Sequence, residues 1–204
     1  MDVIEALSTR RMVRSFAPHP IAEEDVLELL SDALWAPTAG HSRGIRWIAL
    51  VGASDLAAYF DAATDEAWRE GAARAPGLLR AAAGAVCVAD PARYVERYAE
   101  SDKQTSGLGA GAASWPVPYW VGDAGAATMA ALLLAQERGI AASFLGSFRR
   151  TAELGALVGL APSEIIYGTL LFGAADEGDR RSSSLDRPGP SRAQRVQRLG
   201  TPPS

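Results

Sequence analysis

Lysine is almost missing from this chain. Lys103 is the only one among 20 basic residues, so positive charge is carried by arginine. Cysteine is as scarce: Cys87 stands alone, which excludes a disulfide within one chain. Its setting, Ala85-Val86-Cys87-Val88-Ala89, is that of a core thiol rather than a reactive one. There is no apolar run of the ~20 residues that a bilayer requires; the most apolar stretch, Ala124 to Ala135, is too short. Met1-Asp2 leads straight into an amphipathic helix, unlike a secretory leader, and a cytoplasmic location is expected. A net charge of -4 argues against general nucleic-acid binding. No metal site is expected.

Regular alternation of strand and helix is missing too, and this decides how the cluster Gly107-Leu108-Gly109-Ala110-Gly111 is read. A dinucleotide fingerprint needs a strand before it and a helix after it. Here Asp102-Lys103-Gln104-Thr105-Ser106 precedes and Trp115-Pro116-Val117-Pro118 follows. A flexible loop bordering a pocket is the better account.

What the chain does have is a basic stretch, Arg10-Arg11-Met12-Val13-Arg14-Ser15-Phe16. Three guanidinium forks in five residues match the oxygens of a phosphate. A solvated helix end, where cations relieve the carbonyl terminus, accounts for the same pattern.

A length of 204 residues suits one domain with an arm. Asp2 with Glu5 resembles a capping box, and Val3, Ile4 and Leu7 give the first helix an apolar face. Val26, Leu29, Leu30, Ala33 and Leu34 have helical spacing that stops at Pro37. Strands are expected at Ile45–Val51, Ala85–Ala89, Ile140–Leu145 and Ile165–Phe172. Helices are expected from Ser54-Asp55 as far as Glu70, at Ala92–Glu100, at Thr151–Val158, and from Asp123 to Arg138-Gly139. The Asp123 helix is apolar nearly all round, as a buried helix is. Ser101 to Pro118 is too long for a mere connector and ends in Trp115-Pro116-Val117-Pro118-Tyr119-Trp120, which calls for burial over a ligand or partner. Residues 1–178 form the expected domain. From Asp179 a Pro/Ser-rich arm carries six arginines against two acids. The fold class is α+β, an α/β sandwich.

Taken together, these landmarks resemble the FMN-dependent nitroreductase family over about residues 2 to 175. The carriers are Arg10 to Phe16, Ala36-Pro37-Thr38-Ala39-Gly40-His41-Ser42-Arg43-Gly44-Ile45, Trp115 to Trp120, Asp123-Ala124-Gly125-Ala126-Ala127, and Gly139 to Phe148. The resemblance implies a mixed or antiparallel sheet flanked by helices, and a homodimer with FMN in its interface. It implies that Arg10, Arg11 and Arg14, with the Met12 backbone, meet the phosphate, ribityl chain and N1 side of the flavin. Leu145, Gly146 and Ser147 would lie at its reactive edge, with the Gly146 backbone near N5. Pro37, Thr38, Ala39, His41 and Arg43 would reach it from the other subunit. His41, Arg43 and Gly44 depart from the family's usual asparagine, glutamine and proline, so His41 is read either as a flavin or pocket contact or as a surface loop residue. Arg180 and Arg181 would serve the phosphate. His41, Lys103, Trp115, Tyr119 and Trp120 are candidates for the substrate pocket, with packing an equal reading for the aromatics. His19 is expected to be simply exposed.

The implied activity is NAD(P)H reducing FMN and the flavin reducing a nitroaromatic, quinone or other conjugated acceptor by ping-pong. A flavin-dependent dehydrogenase or oxidase of a biosynthetic intermediate, or a non-catalytic flavin-binding module, stands as the alternative. No side chain is assigned as a general acid.

Overall fold

The computed structural model describes residues 1–74, 76–180, 182–196 and 198–199. Helix α1 (Val3–Thr9) starts where the capping pattern puts it, with Asp2 Oδ1 accepting the Glu5 N–H at 2.8 Å. Its apolar face is not packed. Val3 and Ile4 are 66% and 73% exposed, and only Ala6 is buried. The arginine stretch leads to β1 (Phe16–Ala17), too short to leave a pattern in the sequence. Next comes α2 (Glu23–Ala33), which buries Val26, Leu29, Leu30 and Ala33 as its spacing predicts.

The remaining elements are β2 (Ile45–Val51), α3 (Gly52–Ala63), α4 (Glu66–Arg74), β3 (Ala83–Ala89), α5 (Pro91–Ala99), α6 (Tyr119–Glu137), β4 (Ala141–Gly146), α7 (Thr151–Leu157) and β5 (Ile165–Ala175). All strand pairings are antiparallel: β2 with β3, β3 with β5, β4 with β5, and β1 with the last residues of β5. All seven residues of β3 are buried because helices cover both faces of the sheet. Ala83, Ala85, Leu170 and Phe172 pack toward α2 and α6. Val86, Val88 and Leu171 pack the other way, on Leu56, Tyr59 and Phe60 of α3 and Leu154 of α7. The period of two in a strand produces this division. The fold is the α+β sandwich expected.

Two helix boundaries differ from expectation, each for a local reason. The helix expected as far as Glu70 is two helices. Thr64 turns its hydroxyl back to the Phe60 carbonyl, and Asp65 caps α4 by accepting the Trp68 N–H at 2.8 Å. Helix α6 starts at Tyr119, right after Pro118, rather than at Asp123. It is also buried on one side only: Val121 and Gly122 are exposed, and Gly125, Ala126 and Met129 are half-buried.

The irregular stretch before α6 folds as three 3-10 turns along α5, Gln104–Ser106, Leu108–Ala110 and Ala112–Ser114. Gly109 permits this contact, since a Cβ there would come within 2.6 Å of the Ala99 backbone. The start of the arm stays with the domain. Asp176 N–H donates to the Ser15 carbonyl at 2.9 Å, and Asp179 caps the Arg14 and Ser15 N–H groups. No helix among the described residues is long and apolar enough to cross a membrane, and none of their side chains form a metal-ligating cluster.

Candidate functional site

The arginine stretch and the arm enclose a cavity of about 160 Å³. Arg10, Arg11, Met12 and Arg14 line one side, and Asp179, Arg180, Ser182 and Ser184 the other. Arg181 lies outside the described residues. Val13 fixes the stretch to the sheet edge, its N–H donating to the Ala142 carbonyl at 2.9 Å. That anchor turns the neighbouring side chains into the cavity.

Asp179 is the acid of this basin, its side chain 3% exposed. One oxygen accepts the Arg14 and Ser15 N–H groups at 2.8 and 3.0 Å, and the other stands 3.8 Å from Arg11 Nη2. Arg10 differs: its Nε and Nη1 are buried with no hydrogen-bond partner among the described residues. A buried guanidinium edge without an acceptor is costly and uncommon. Cationic forks with serine hydroxyls beside them have the donor chemistry that a phosphate monoester completes.

Arg14 also lines a second cavity, of about 210 Å³. Leu145 and Gly146 at the end of β4 form one wall, and Tyr59, Thr64 and Trp68 form another, with Phe148 and Arg149 at the rim. Ser147 is not part of the wall; its hydroxyl lies 3.5 Å from that of Thr169. Burial pushes the Tyr59 phenol above its ordinary value, against an opposing hydrogen bond with Thr169. The two cavities meet at one arginine.

The loop Pro37–Arg43 lies elsewhere and touches neither cavity. It borders a cleft of about 550 Å³ with Trp35 and Leu34 from the end of α2, and with Asp123 of α6. Its backbone is strained: Gly40, His41 and Arg43 have φ of 61°, 58° and 52°. For the two side-chain-bearing residues this costs roughly 1–2 kcal/mol each. Several bonds hold it. Asp123 Oδ2 accepts the Ala39 N–H at 2.7 Å and the Tyr94 hydroxyl at 2.8 Å, and Arg97 Nε donates to the Gly40 carbonyl at 2.9 Å. Burial, then the bond to Asp123, raises the Tyr94 phenol far above its usual range. Arg43 Nε donates to His41 Nε2 at 2.9 Å.

The aromatic candidates divide. Trp115 and Trp120 are buried, with ring centroids 6.0 and 5.9 Å from that of Tyr94, and Trp115 Nε1 donates to the Leu108 carbonyl at 3.0 Å. Tyr119 remains half-exposed. Lys103 lies over the Tyr98 ring, 5.5 Å from its centroid, and away from all three cavities. His19 is exposed. Sequence reasoning missed Tyr59, Thr64, Trp68 and Arg149, because they look like ordinary helix and loop residues. It took Asp123 as a helix start and part of a resembling run, without a role for its side chain, and Asp179 only as a boundary.

An antiparallel α+β sandwich with an arginine basin beside a strand end is a fold suited to holding an anionic small molecule. Residues 7–174 match the model of the Nitroreductase family, and the chain belongs to that family of oxidoreductases. A protein of Archaeoglobus fulgidus provisionally named NADH dehydrogenase/NAD(P)H nitroreductase is 26% identical over 197 residues, covering 95% of this chain and 97% of the relative. Among solved structures, NfrA2 of B. megaterium superimposes with a TM-score of 0.72 at 18% identity, over 99% of this chain and 76% of that one. A nitroreductase-like family protein from Bacillus cereus gives 0.69 at 18%, over 98% and 97%. CLA-ER, described as an enone reductase of gut-bacterial fatty acid saturation, gives 0.71 at 15%, over 98% of each chain.

Proposed function

We propose that the protein is a homodimeric FMN-dependent oxidoreductase, with NADH or NADPH as electron donor and a conjugated small molecule, such as a nitroaromatic or quinone, as acceptor. The observation that carries this reading is the buried, unpartnered edge of Arg10 in a basin joined through Arg14 to a cavity ending at Gly146. A phosphate supplies the acceptors that Arg10 lacks.

Arg10, Arg11, Arg14 and Arg180 would hold the phosphate, with Ser182 and Ser184 as hydroxyl donors. Asp179 keeps Arg14 and Ser15 in place by taking their backbone N–H groups, which leaves the guanidinium groups for the ligand. When bound, FMN supplies hydride and electron transfer, and the protein supplies orientation and electrostatics. Arg14, between the basin and Gly146, puts positive charge where an anionic reduced ring system needs it. Gly146 lets its backbone come close, because no side chain intervenes. Tyr59 and Trp68 add aromatic walls to the same cavity. Overall, NAD(P)H, a proton and the acceptor become NAD(P)+ and the two-electron-reduced acceptor. No side chain is required as a general acid.

A second copy of the chain is supported by exposed apolar surface. Val3 and Ile4 on α1, Val121 on α6 and Trp35 are open to water in the single chain. In this reading the Pro37–Arg43 loop, which touches neither arginine-lined cavity of its own chain, would meet the flavin of the partner's site.

The decisive test is the visible spectrum of the purified protein, followed by FMN titration and anaerobic addition of NADPH. A yellow protein that binds one FMN per chain and bleaches with NADPH is expected. A colourless protein that takes up no added FMN would overturn the reading, and bound flavin that stays oxidised would leave only a binding module.

A further inference from the structure

We infer that one face of α5 is the seat of the Pro37–Arg43 loop, with Tyr94, Arg97 and Tyr98 as positioning residues. They fix the shape in which the loop meets a flavin. That last step rests on the function proposed above; the seat itself does not.

Tyr94, Arg97 and Tyr98 stand at i, i+3 and i+4, so they share one face of the helix. The loop is laid along this face with a glycine at each ring. Gly40 lies on Tyr98, where an added Cβ would come within 2.6 Å of the ring. Gly44 lies on Tyr94, where an added Cβ would come within 2.5 Å. Between the two rings, Arg97 Nε donates to the Gly40 carbonyl. Asp102 aims that arginine from behind, accepting from Nη1 and Nη2 at 2.8 Å each, which turns Nε toward the loop. Tyr94 reaches the loop a second way, through Asp123, which accepts both its hydroxyl and the Ala39 N–H.

The seat accounts for one departure noted in the sequence. The proline usual in the family at position 44 carries a Cβ, and the Tyr94 ring leaves no room for one. Gly44 and Tyr94 are matched to each other. The strained backbone follows from the same support. Left-handed residues with side chains, here His41 and Arg43, persist where the surroundings over-determine them. Four loop amides are bonded in that shape: Ala39 to Asp123, His41 to the Thr38 carbonyl, Ser42 to the Ala39 carbonyl, and Arg43 to Thr38 Oγ1.

Hydrogen exchange of those four amides reads the seat, with the β3 amides as the measure of the whole fold. FMN release from the loaded protein, followed by fluorescence, reads the consequence. Asp102→Ala is the sharpest variant, because Asp102 is largely exposed and touches the loop only through Arg97. It should speed loop exchange about 10-fold, the worth of one hydrogen bond, leave β3 unchanged, and speed FMN release by a similar factor. Tyr94→Phe, which keeps the ring, should speed the loop by a larger factor than β3. Gly44→Ala should unseat the loop further than either. Loop exchange that stays at the wild-type rate, or that rises only in step with β3, would overturn the seat. Faster loop exchange with unaltered FMN release would overturn the positioning role and leave α5 as architecture. A wild-type protein that takes up no FMN sinks the flavin reading, and the exchange comparison still decides the seat.

Discussion

Two arginine-bearing regions of this molecule use the same side chain in opposite ways. Along α5, Arg97 reaches the Gly40 carbonyl and both oxygens of Asp102, and Asp123 answers Tyr94 and Ala39. The charges there are matched. In the basin, Asp179 lies among Arg10, Arg11, Arg14 and Arg180, and Arg10 keeps two buried nitrogens without hydrogen-bond partners among the described residues. Neutral orphans also exist beneath the α5 side, at Trp47 Nε1 and Thr128 Oγ1. A neutral orphan costs far less than a charged one, so these are tolerable in a core and Arg10 is not without a reason. Matched charge reads as architecture, and unmatched buried charge as an invitation to a ligand.

The largest effect should come from removing a partner on the matched side. Asp123→Ala strands the buried Tyr94 hydroxyl and the Ala39 N–H, and should cost about 3 kcal/mol in a urea denaturation. A loss under ~0.5 kcal/mol, the level of an ordinary surface change, would break the comparison. On the unmatched side the sign should reverse. Arg10→Met removes a charge that lacks acceptors, so without ligand it should stabilise the fold by about 1 kcal/mol. The same change should weaken FMN by about 100-fold, read by fluorescence titration. Destabilisation without ligand together with unchanged FMN affinity would make Arg10 part of the architecture.

Much of this contrast was legible in the sequence, and its limits are physical. The four longer strands and the α2 stripe were visible because burial enforces a period, as at Val26, Leu29, Leu30 and Ala33. The arginine stretch was visible because three charges fall close together in the chain. Partners were not. Asp179 lies 165 residues from Arg14, and no local pattern signals that pairing. Likewise Tyr59 and Trp68 line the Gly146 cavity from α3 and α4, on either side of the break at Thr64-Asp65. Apolar periodicity says that a face wants cover, not what covers it. Hence Val3 and Ile4 predicted a packed face and are exposed in the single chain.

Smaller effects test the matched side further. Arg46 grips Glu164 through two bonds, 2.5 and 2.6 Å, and holds its carboxyl below the usual glutamate range. A carboxyl lowered in the folded state adds stability that is present above the ordinary glutamate value and lost as pH falls through the lowered one. Glu164→Gln should therefore cost about 1 kcal/mol at neutral pH and flatten the acid limb of the stability curve. A wild-type curve that already lacks that limb would show that the pair contributes nothing.

The smallest effect is an expected silence. Cys87 sits in β3 with no exposure, and burial pushes its thiol up to about 12. The thiolate is the reactive form, so iodoacetamide at pH 8 should not label the folded protein and should label it fully in denaturant. The sign is opposite to that of Glu164. An acid raised in the fold adds stability that is complete below its unfolded value, roughly 8.5, and fades as pH climbs toward the folded one. Cys87→Ala should lower the alkaline sensitivity of the fold, and Cys87→Ser should not restore it, because a hydroxyl does not titrate there. Rapid labelling of the native protein would mean that β3 opens readily. In that case the matched side would be the looser of the two regions.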